Sequence, residues 1–176
     1  MASRGFIELL RLSDLAQSRT SGRHKNNQSQ WLGVAFEVAG QRMVAPMGDI
    51  SEILVSPDMT PIPLTQSWML GIANIRGRLL PITDLAAFLN LQTDNLTSAN
   101  RKIMVIDQPD IYSGLLVDKV FGIQQFKLSQ YEPVFLPEDS AFLPYNHGRF
   151  SRDDQHWYVF MPNLLIKDSR YLEAAL

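Results

Sequence analysis

The sequence predicts an all-β fold built from many short strands. From Trp31 onward, apolar side chains at Leu32, Val34, Phe36 and Val38 alternate with small or polar residues, the period of two that is typical of a β-strand. Short runs rich in β-branched and aromatic residues then recur, with Gly, Pro, Asn or Asp in most of the gaps. The chain also holds 10 prolines, which suit strand ends and loops better than helix interiors. This pattern indicates small barrels or a sandwich.

The same patterns place each element along the chain. Strands are predicted over residues 31–38, 42–45, 71–75, 78–82, 102–107, 113–117, 121–127 and 156–161. A short helix is predicted over 85–89, because the carboxylate of Asp84 can accept hydrogen bonds from the free amides of a first helical turn. A second helix follows Pro162, a residue well suited to a first turn. The stretch 133–152 contains Pro137, Pro144 and Gly148 and is predicted to be a long irregular connection.

The first 30 residues differ from the rest. Apolar residues at Phe6, Leu9, Leu12, Leu15 and Ala16 have helical spacing, and residues 18–30 are polar and predict a flexible linker. We therefore divide the chain into a helical extension with a linker over 1–30, a domain over 31–166 and a helical tail over 167–176. We expect residues 1–30 to be dispensable for folding but not for function. The predicted helix either packs back on the domain or docks on a partner, which we favour.

Composition and charge exclude several classes of protein. The absence of cysteine excludes disulfides, zinc ribbons and thiol catalysis and fits a reducing compartment. No apolar run approaches the roughly 18 residues of a membrane span, so we expect a cytoplasmic protein without direct membrane insertion. The net charge of −2 divides into +3 over residues 1–30 and −5 over the remainder. A mildly acidic body argues against a nucleic-acid partner.

No catalytic or metal-binding motif stands out. The histidines, His24, His147 and His156, are far apart and lack the HExxH spacing of a zinc site. There is no GxSxG element to activate a serine, and the carboxylate pairs at 138–139 and 153–154 lie in sequence typical of solvated loops. We expect no enzyme activity, no metal and no cofactor. A hydrolase with a site assembled from distant residues is the alternative.

The most informative segment is GIANIRGRLLPITDL, residues 71–85. It predicts a hairpin of two strands joined at Arg76-Gly77, where Gly77 can adopt the positive φ of a tight turn. Pro81 donates no hydrogen bond, so the return strand should lie at a sheet edge or meet an irregularity there. The hairpin presents one cation, Arg76, at the tip of an otherwise apolar unit.

This segment resembles the signature of the CheW family of chemotaxis coupling proteins. The matching residues are Gly71, Asn74, Arg76, Gly77, Pro81, Asp84 and Leu85. The run GLLVDKV over 114–120 and the run DISEIL over 49–54 are further matches, and the resemblance covers about residues 31–166. The tryptophan after an N-terminal extension, the triplet VAP at 44–46 and FGIQQF at 121–126 are similar to the branch of the family found in pilus-associated, twitching-motility systems.

The resemblance implies a fold and two partners. The fold is two intertwined SH3-like five-stranded β-barrels with a hydrophobic seam between them. The protein would be a non-catalytic adaptor that binds the CheW-like regulatory domain of a CheA-type histidine kinase through barrel ends, and the cytoplasmic signalling tip of a chemoreceptor in a groove near the seam. Receptor contact would recruit it to membrane-bound arrays. The alternatives are a flagellar-type coupling protein and a small-barrel module for nucleic acid or peptide.

Matched position by position, the resemblance assigns two sets of residues. The receptor-groove candidates are Ile50, Glu52, Ile53, Gly71, Arg76, Lys102 and Ile103. The architectural positions are Asn74, Gly77, Pro81, Asp84, Gly114 and Asp118. Two alternatives stay open: Arg76 can instead hold its turn by bonding nearby backbone carbonyls, and Ile50 and Ile53 can belong to the core. If Ile50 lines the groove, Ile50→Asp should fold but fail to bind receptor.

Overall fold

The computed structural model describes residues 30–55, 57–92, 100–133 and 136–175. Within these ranges the chain forms eleven β-strands, three α-helices and three 3-10 helices. The strands are β1 Gln30–Val38, β2 Gln41–Pro46, β3 Glu52–Val55, β4 Met69–Ile75, β5 Arg78–Asp84, β6 Lys102–Gln108, β7 Ile111–Val117, β8 Lys119–Lys127, β9 Tyr131–Glu132, β10 Asn146–Arg152 and β11 Gln155–Phe160. The α-helices are α1 Leu85–Phe88, α2 Pro162–Leu165 and α3 Ser169–Leu172, and the 3-10 helices are Met47–Asp49, Leu128–Gln130 and Leu143–Tyr145. The predicted N-terminal helix and most of its linker lie outside the described residues.

The strands form two curled sheets. The first has the order β8-β1-β2-β11-β10-β9, in which β9 is a two-residue addition, and the second has the order β3-β6-β7-β5-β4. The strands of the second sheet lie in sequence between β2 and β8, so the chain crosses between sheets after β2 and after β7. Neighbours are antiparallel except for the pairs β11–β2 and β5–β7. The predicted all-β class with two intertwined barrels is confirmed.

The core has three parts, because the central strands bury both faces. Along β1, Trp31 and Ala35 pack inside the first barrel, while Val34 and Phe36 face the seam between the barrels. The side chains of β6 also alternate between two cores. Ile103 and Val105 pack inside the second barrel, and Met104 and Ile106 face the seam. Successive side chains of a strand point to opposite faces, so a strand shared by two cores is apolar at nearly every position. We call the cluster between the barrels the seam core.

One predicted connection is wrong. The stretch 133–152 contains a 3-10 turn and the strand β10, which pairs with β11 on one side and with β9 on the other. The sequence of β10 is polar, and Gly148 adopts a φ of +79° where the register shifts. A β-bulge of this kind interrupts the alternation on which strand prediction depends.

The C-terminal residues pack on the seam core. Asp168 caps α3 by accepting a hydrogen bond from the amide of Arg170, and Tyr171 is buried, stacked against Trp68 with ring centroids 6.0 Å apart. The division of the chain at residue 167 stays a prediction. None of the helices in the described ranges has the length and apolar character that would let it span a bilayer.

Candidate functional site

The β4–β5 hairpin has the predicted tight turn. Arg76 and Gly77 have φ values of +53° and +84°, and two successive positive φ angles define the type I′ turn that matches strand twist. The side chain of Asn74 accepts a hydrogen bond from the Gly77 amide at 2.9 Å. Asn74 and Gly77 therefore fix the turn, and Arg76 lies at its tip.

Arg76 pairs with a residue of another strand. Its Nη2 donates to Oε2 of Glu52 at 3.0 Å, and the side chains are 80% and 26% exposed, respectively. Glu52 begins β3, and β3 and β4 are the two edges of the second sheet, so the ion pair bridges these edges. In the described residues the guanidinium thus bonds a carboxylate, not the backbone carbonyls considered from sequence.

Five exposed apolar side chains border one end of the seam. On the first sheet, Ile123 pairs directly with Val34 of the seam core, and Leu32 lies on the same face of β1 two residues earlier. On the second sheet, Ile53 pairs with the seam residue Met104, and Val55 follows on the same face. The exposed fractions are 41% for Leu32, 45% for Met47, 41% for Ile53, 72% for Val55 and 58% for Ile123. We call these five residues the seam patch.

The short Met47–Asp49 helix connects the two halves of the seam patch. It contacts β1 of the first sheet and β6 of the second. Burial raises the pKa of the Asp49 carboxyl. Sequence reasoning missed Leu32, Met47, Val55 and Ile123, because the sequence does not show whether an apolar residue is covered or exposed.

Three predicted groove residues are buried in the free protein, and their receptor contact stays a prediction. Ile50 belongs to the seam core and is 8% exposed, and Ile103 is fully buried inside the second barrel. Gly71 is also buried, has a φ of +146° and lies so near the Thr60 backbone that a Cβ would be 2.4 Å from the Thr60 carbonyl oxygen. In the free protein these three residues build the fold.

The other four predicted groove residues are accessible. Glu52 and Arg76 form an accessible ion pair, in which Glu52 lies on the face of β3 opposite to Ile53, and Ile53 belongs to the patch. Lys102 is partly exposed and pairs with Val55, so its side chain lies on the patch face of the sheet. Receptor contact by these four residues stays a prediction.

Pro81 and Gly114 are explained by packing in the second sheet. β5 is an interior strand, but its parallel pairing with β7 begins only at Ile82. The amide and carbonyl of Ile72, the partner of Pro81 on β4, bond to Thr60. The missing N–H of Pro81 therefore faces a gap in the ladder, the irregularity predicted as the alternative to an edge. A Cβ on Gly114 would lie 2.7 Å from the Ile103 side chain.

Asp84, Asp118 and Arg101 form a cluster at the crossing from β7 to β8. Asp84 caps α1 by accepting from the Ala87 amide at 3.2 Å, as predicted. Asp118 is 1% exposed and accepts from the Ala39 amide of the first sheet at 2.7 Å. Arg101 lies between the two carboxylates, at 2.8 Å from Asp84 and 3.5 Å from Asp118. Sequence reasoning missed Arg101, because each of its two partners is 17 residues away in sequence.

The histidines and carboxylates form no group of three potential metal ligands within the described residues. His156 contacts the Ser151 hydroxyl at 2.9 Å, and burial lowers the pKa of His147. In residues 30–55, 57–92, 100–133 and 136–175, no three His, Cys, Asp or Glu side chains are grouped so that they could hold a metal ion. His24 lies outside these ranges.

Comparison with known proteins identifies the class. The family model of the CheW-like domain matches residues 32–170, so the chain belongs to the CheW-like family, as its signature predicted. A solved structure, scaffolding protein TtCheW from Thermoanaerobacter tengcongensis, aligns with a TM-score of 0.64 at 21% identity, over 74% of this chain and 88% of that one. That similarity supports the fold.

Two curated relatives refine the relationship. Protein PilI of Pseudomonas aeruginosa is 39% identical over 146 residues, which cover 83% of this chain and 81% of PilI. Chemotaxis protein CheW of Thermotoga maritima is 28% identical over 99 residues, 56% of this chain and 64% of that protein. The predicted resemblance to the pilus-associated branch is confirmed.

Proposed function

We propose that this protein is a non-catalytic coupling scaffold that joins the cytoplasmic signalling tip of a chemoreceptor to a CheA-type histidine kinase, in a pathway that controls twitching motility by type IV pili. Membership of the CheW-like family supports the coupling role, and the similarity to PilI supports the pilus pathway. The observation that carries the proposal is the seam patch, in which both sheets contribute exposed apolar side chains to one end of the seam.

The chemistry of the seam patch suits a helical partner. A receptor tip made of helices would bury apolar side chains against Leu32, Ile53 and Ile123, in the way amphipathic helices occupy apolar grooves. The charge of Lys102 lies on the patch face opposite Val55, and the Glu52–Arg76 ion pair is carried by the same edge strand, β3; these charges would set the register of the partner. The kinase regulatory domain would bind elsewhere on the barrels, so that both partners are held together. Receptor binding would bring the protein from the cytoplasm to membrane-bound arrays.

The test is a titration of a receptor signalling-tip fragment against Ile123→Asp. Fully burying an isoleucine side chain contributes about 1.5–3 kcal/mol, and Ile123 is 58% exposed. A partner that covers the exposed part of Ile123 would gain the corresponding part of this burial free energy. Losing it, together with the cost of burying an unpaired charge at the interface, predicts an affinity loss of about 10-fold or more. Leu172→Asp is the matched control, because Leu172 is 60% exposed on α3 outside the seam patch.

Both variants should still copurify with the kinase regulatory domain. Equal receptor affinity for wild type, Ile123→Asp and Leu172→Asp would refute the seam patch as the receptor site. Absence of wild-type binding to both the receptor tip and the kinase domain would refute the coupling function itself.

A further inference from the structure

The strand that carries Ile123 is held along its outer edge by an arginine of another strand. β8 stands at one end of the strand order of the first sheet and is paired with β1. Arg152, the last residue of β10, reaches this edge. Its Nη1 donates to the Gln125 carbonyl and its Nη2 to the side-chain oxygen of Gln124, both at 3.1 Å. The Gln124 amide group in turn donates to the Phe121 carbonyl at 3.3 Å. We call these three hydrogen bonds the edge clamp.

Ile123 lies midway between the two carbonyls that the edge clamp holds. These carbonyls belong to Phe121 and Gln125, two residues before and two residues after Ile123. We propose that Arg152 is a positioning residue, which acts directly and through Gln124 to hold this part of β8 and thereby presents Ile123 to the receptor tip. The step to receptor binding rests on the proposed function, whereas the restraint on the strand does not.

The segment around Ile123 needs such a restraint because its pairing with β1 is irregular. The register between the two strands shifts between Ala35 and Phe36, and Gly122 has a φ of +82°. A β-bulge disrupts the ladder locally, and an edge strand leaves one row of its backbone groups unpaired. Ile123 is 58% exposed, so the packing of its own side chain restrains it little. The edge clamp therefore takes the place of a second neighbouring strand at this point.

The geometry at Arg152 requires a guanidinium group. Its two terminal nitrogens bond two different acceptors, and its Cζ lies 4.8 Å from the centroid of the Phe126 ring, which is fully buried in the first barrel. The carboxylate of Asp153 is 3.9 Å from Arg152 and 90% exposed, so it orients the guanidinium weakly. A lysine would keep the charge but lacks the planar fork that bonds two acceptors and stacks on a ring. Substitution can therefore separate the effect of charge from that of geometry.

Hydrogen exchange on the free full chain tests whether the edge clamp holds β8. In Arg152→Ala the protected amides of residues 121–125 should exchange about 10-fold faster or more, and Arg152→Lys should resemble it because the fork is lost. Gln124→Met keeps the side-chain size and removes both hydrogen bonds of Gln124, so it should also speed exchange there. Arg149→Ala is the matched control, because Arg149 lies on the same strand, is 23% exposed and bonds Glu132 of β9 at 2.7 Å. It should leave exchange of residues 121–125 unchanged.

Thermal melting of each variant separates a local effect from a general loss of stability. Unchanged exchange of residues 121–125 in both Arg152→Ala and Gln124→Met would overturn the positioning role. Faster exchange spread over all strands would overturn it as well, since the arginine would then stabilise the whole domain. Wild-type exchange in Arg152→Lys would overturn the requirement for the fork.

Titration of the receptor-tip fragment tests the consequence for binding. Arg152→Ala should bind about 3- to 10-fold more weakly than wild type, because the partner would have to order the bulged edge as it binds. Arg149→Ala should bind like wild type. Weaker binding of Arg152→Ala without faster exchange would make Arg152 a direct contact, and faster exchange without weaker binding would show that the patch does not need the clamp; either result would overturn the proposal. If the wild-type chain binds no receptor tip, the proposed function fails, while hydrogen exchange still decides whether the clamp holds the strand.

Discussion

Replacing Arg76 with alanine separates the structural role of the hairpin tip from its proposed binding role. Arg76 donates to Glu52 at 3.0 Å, and its side chain is 80% exposed. Exposed ion pairs contribute about 0.2–1 kcal/mol to stability, because water screens both charges and the long side chains lose entropy. We therefore expect Arg76→Ala to lower the free energy of unfolding by at most about 1 kcal/mol, measured by urea denaturation.

Receptor binding should respond more strongly. The loss of a charge-assisted hydrogen bond at an interface costs about 1–3 kcal/mol, or about 5- to 150-fold in Kd. Calorimetric titration of the receptor-tip fragment into wild type, Arg76→Ala, Glu52→Ala and the double variant measures that loss. It also shows whether Glu52 acts only by orienting Arg76, in which case the two single changes will not add. Kinase affinity should change little.

The adjacent Arg78 supplies the control for charge and position. It bonds both carboxylate oxygens of Asp107, at 2.6 and 3.1 Å, and lies 3.8 Å over the Tyr112 ring. Arg78→Ala should therefore reduce stability more than Arg76→Ala while leaving receptor affinity intact. Unchanged receptor affinity in Arg76→Ala, together with a large fall in its melting temperature, would refute receptor contact by Arg76.

Three further substitutions test the structure away from the hairpin tip. Ile50→Asp should unfold the protein, because a charge in the seam core costs several kcal/mol; a folded variant by circular dichroism would contradict the burial of Ile50. Asp168→Asn should cost about 1–3 kcal/mol at pH 7. The Arg170 guanidinium holds the pKa of Asp168 below its usual 3.8. The difference in unfolding free energy between wild type and Asp168→Asn should therefore be at its maximum above pH 3.8 and shrink as the pH falls further. Urea titrations at pH 7 and at pH 3 measure this change. Gly71→Ala should destabilise by about 1–3 kcal/mol through its clash with Thr60; an unchanged melting temperature would contradict it.

Local features of the chain could be predicted from sequence, and long-range ones could not. The β4–β5 turn and the cap at Asp84 depend on residues within three positions of one another, so their chemistry is visible in the sequence. Ile50 is buried in the connection between the Met47–Asp49 helix and β3, and Ile103 is buried in a strand that is covered on both faces. Such strands lack the apolar and polar alternation that would reveal which side faces a partner.

The same limit explains what was missed in the site. Leu32 and Ile123 are exposed because the seam between the two sheets ends beside them. The position of that end depends on how the two sheets pack, which neighbouring residues in the sequence do not determine. Arg101 joins Asp84 to Asp118 across the crossing between the sheets, a contact that no short motif encodes. Family signature residues located the hairpin, whereas the burial of three of the seven groove positions taken from the resemblance was not visible in the sequence.

The seam core suggests how a coupling protein of this architecture would transmit binding. A partner on the seam patch contacts both sheets, so it could favour one arrangement of the barrels only if two arrangements existed. The seam core opposes such a shift, because it buries side chains from β1, β2, β6 and β7 together, and close-packed interiors resist continuous deformation. The buried side chain of Asp118, which follows β7, adds a hydrogen bond to the Ala39 amide of the β1–β2 turn. In the proposed role the domain would therefore act as a rigid connector that adds binding energy for two partners, and the switching would reside in the receptor and the kinase.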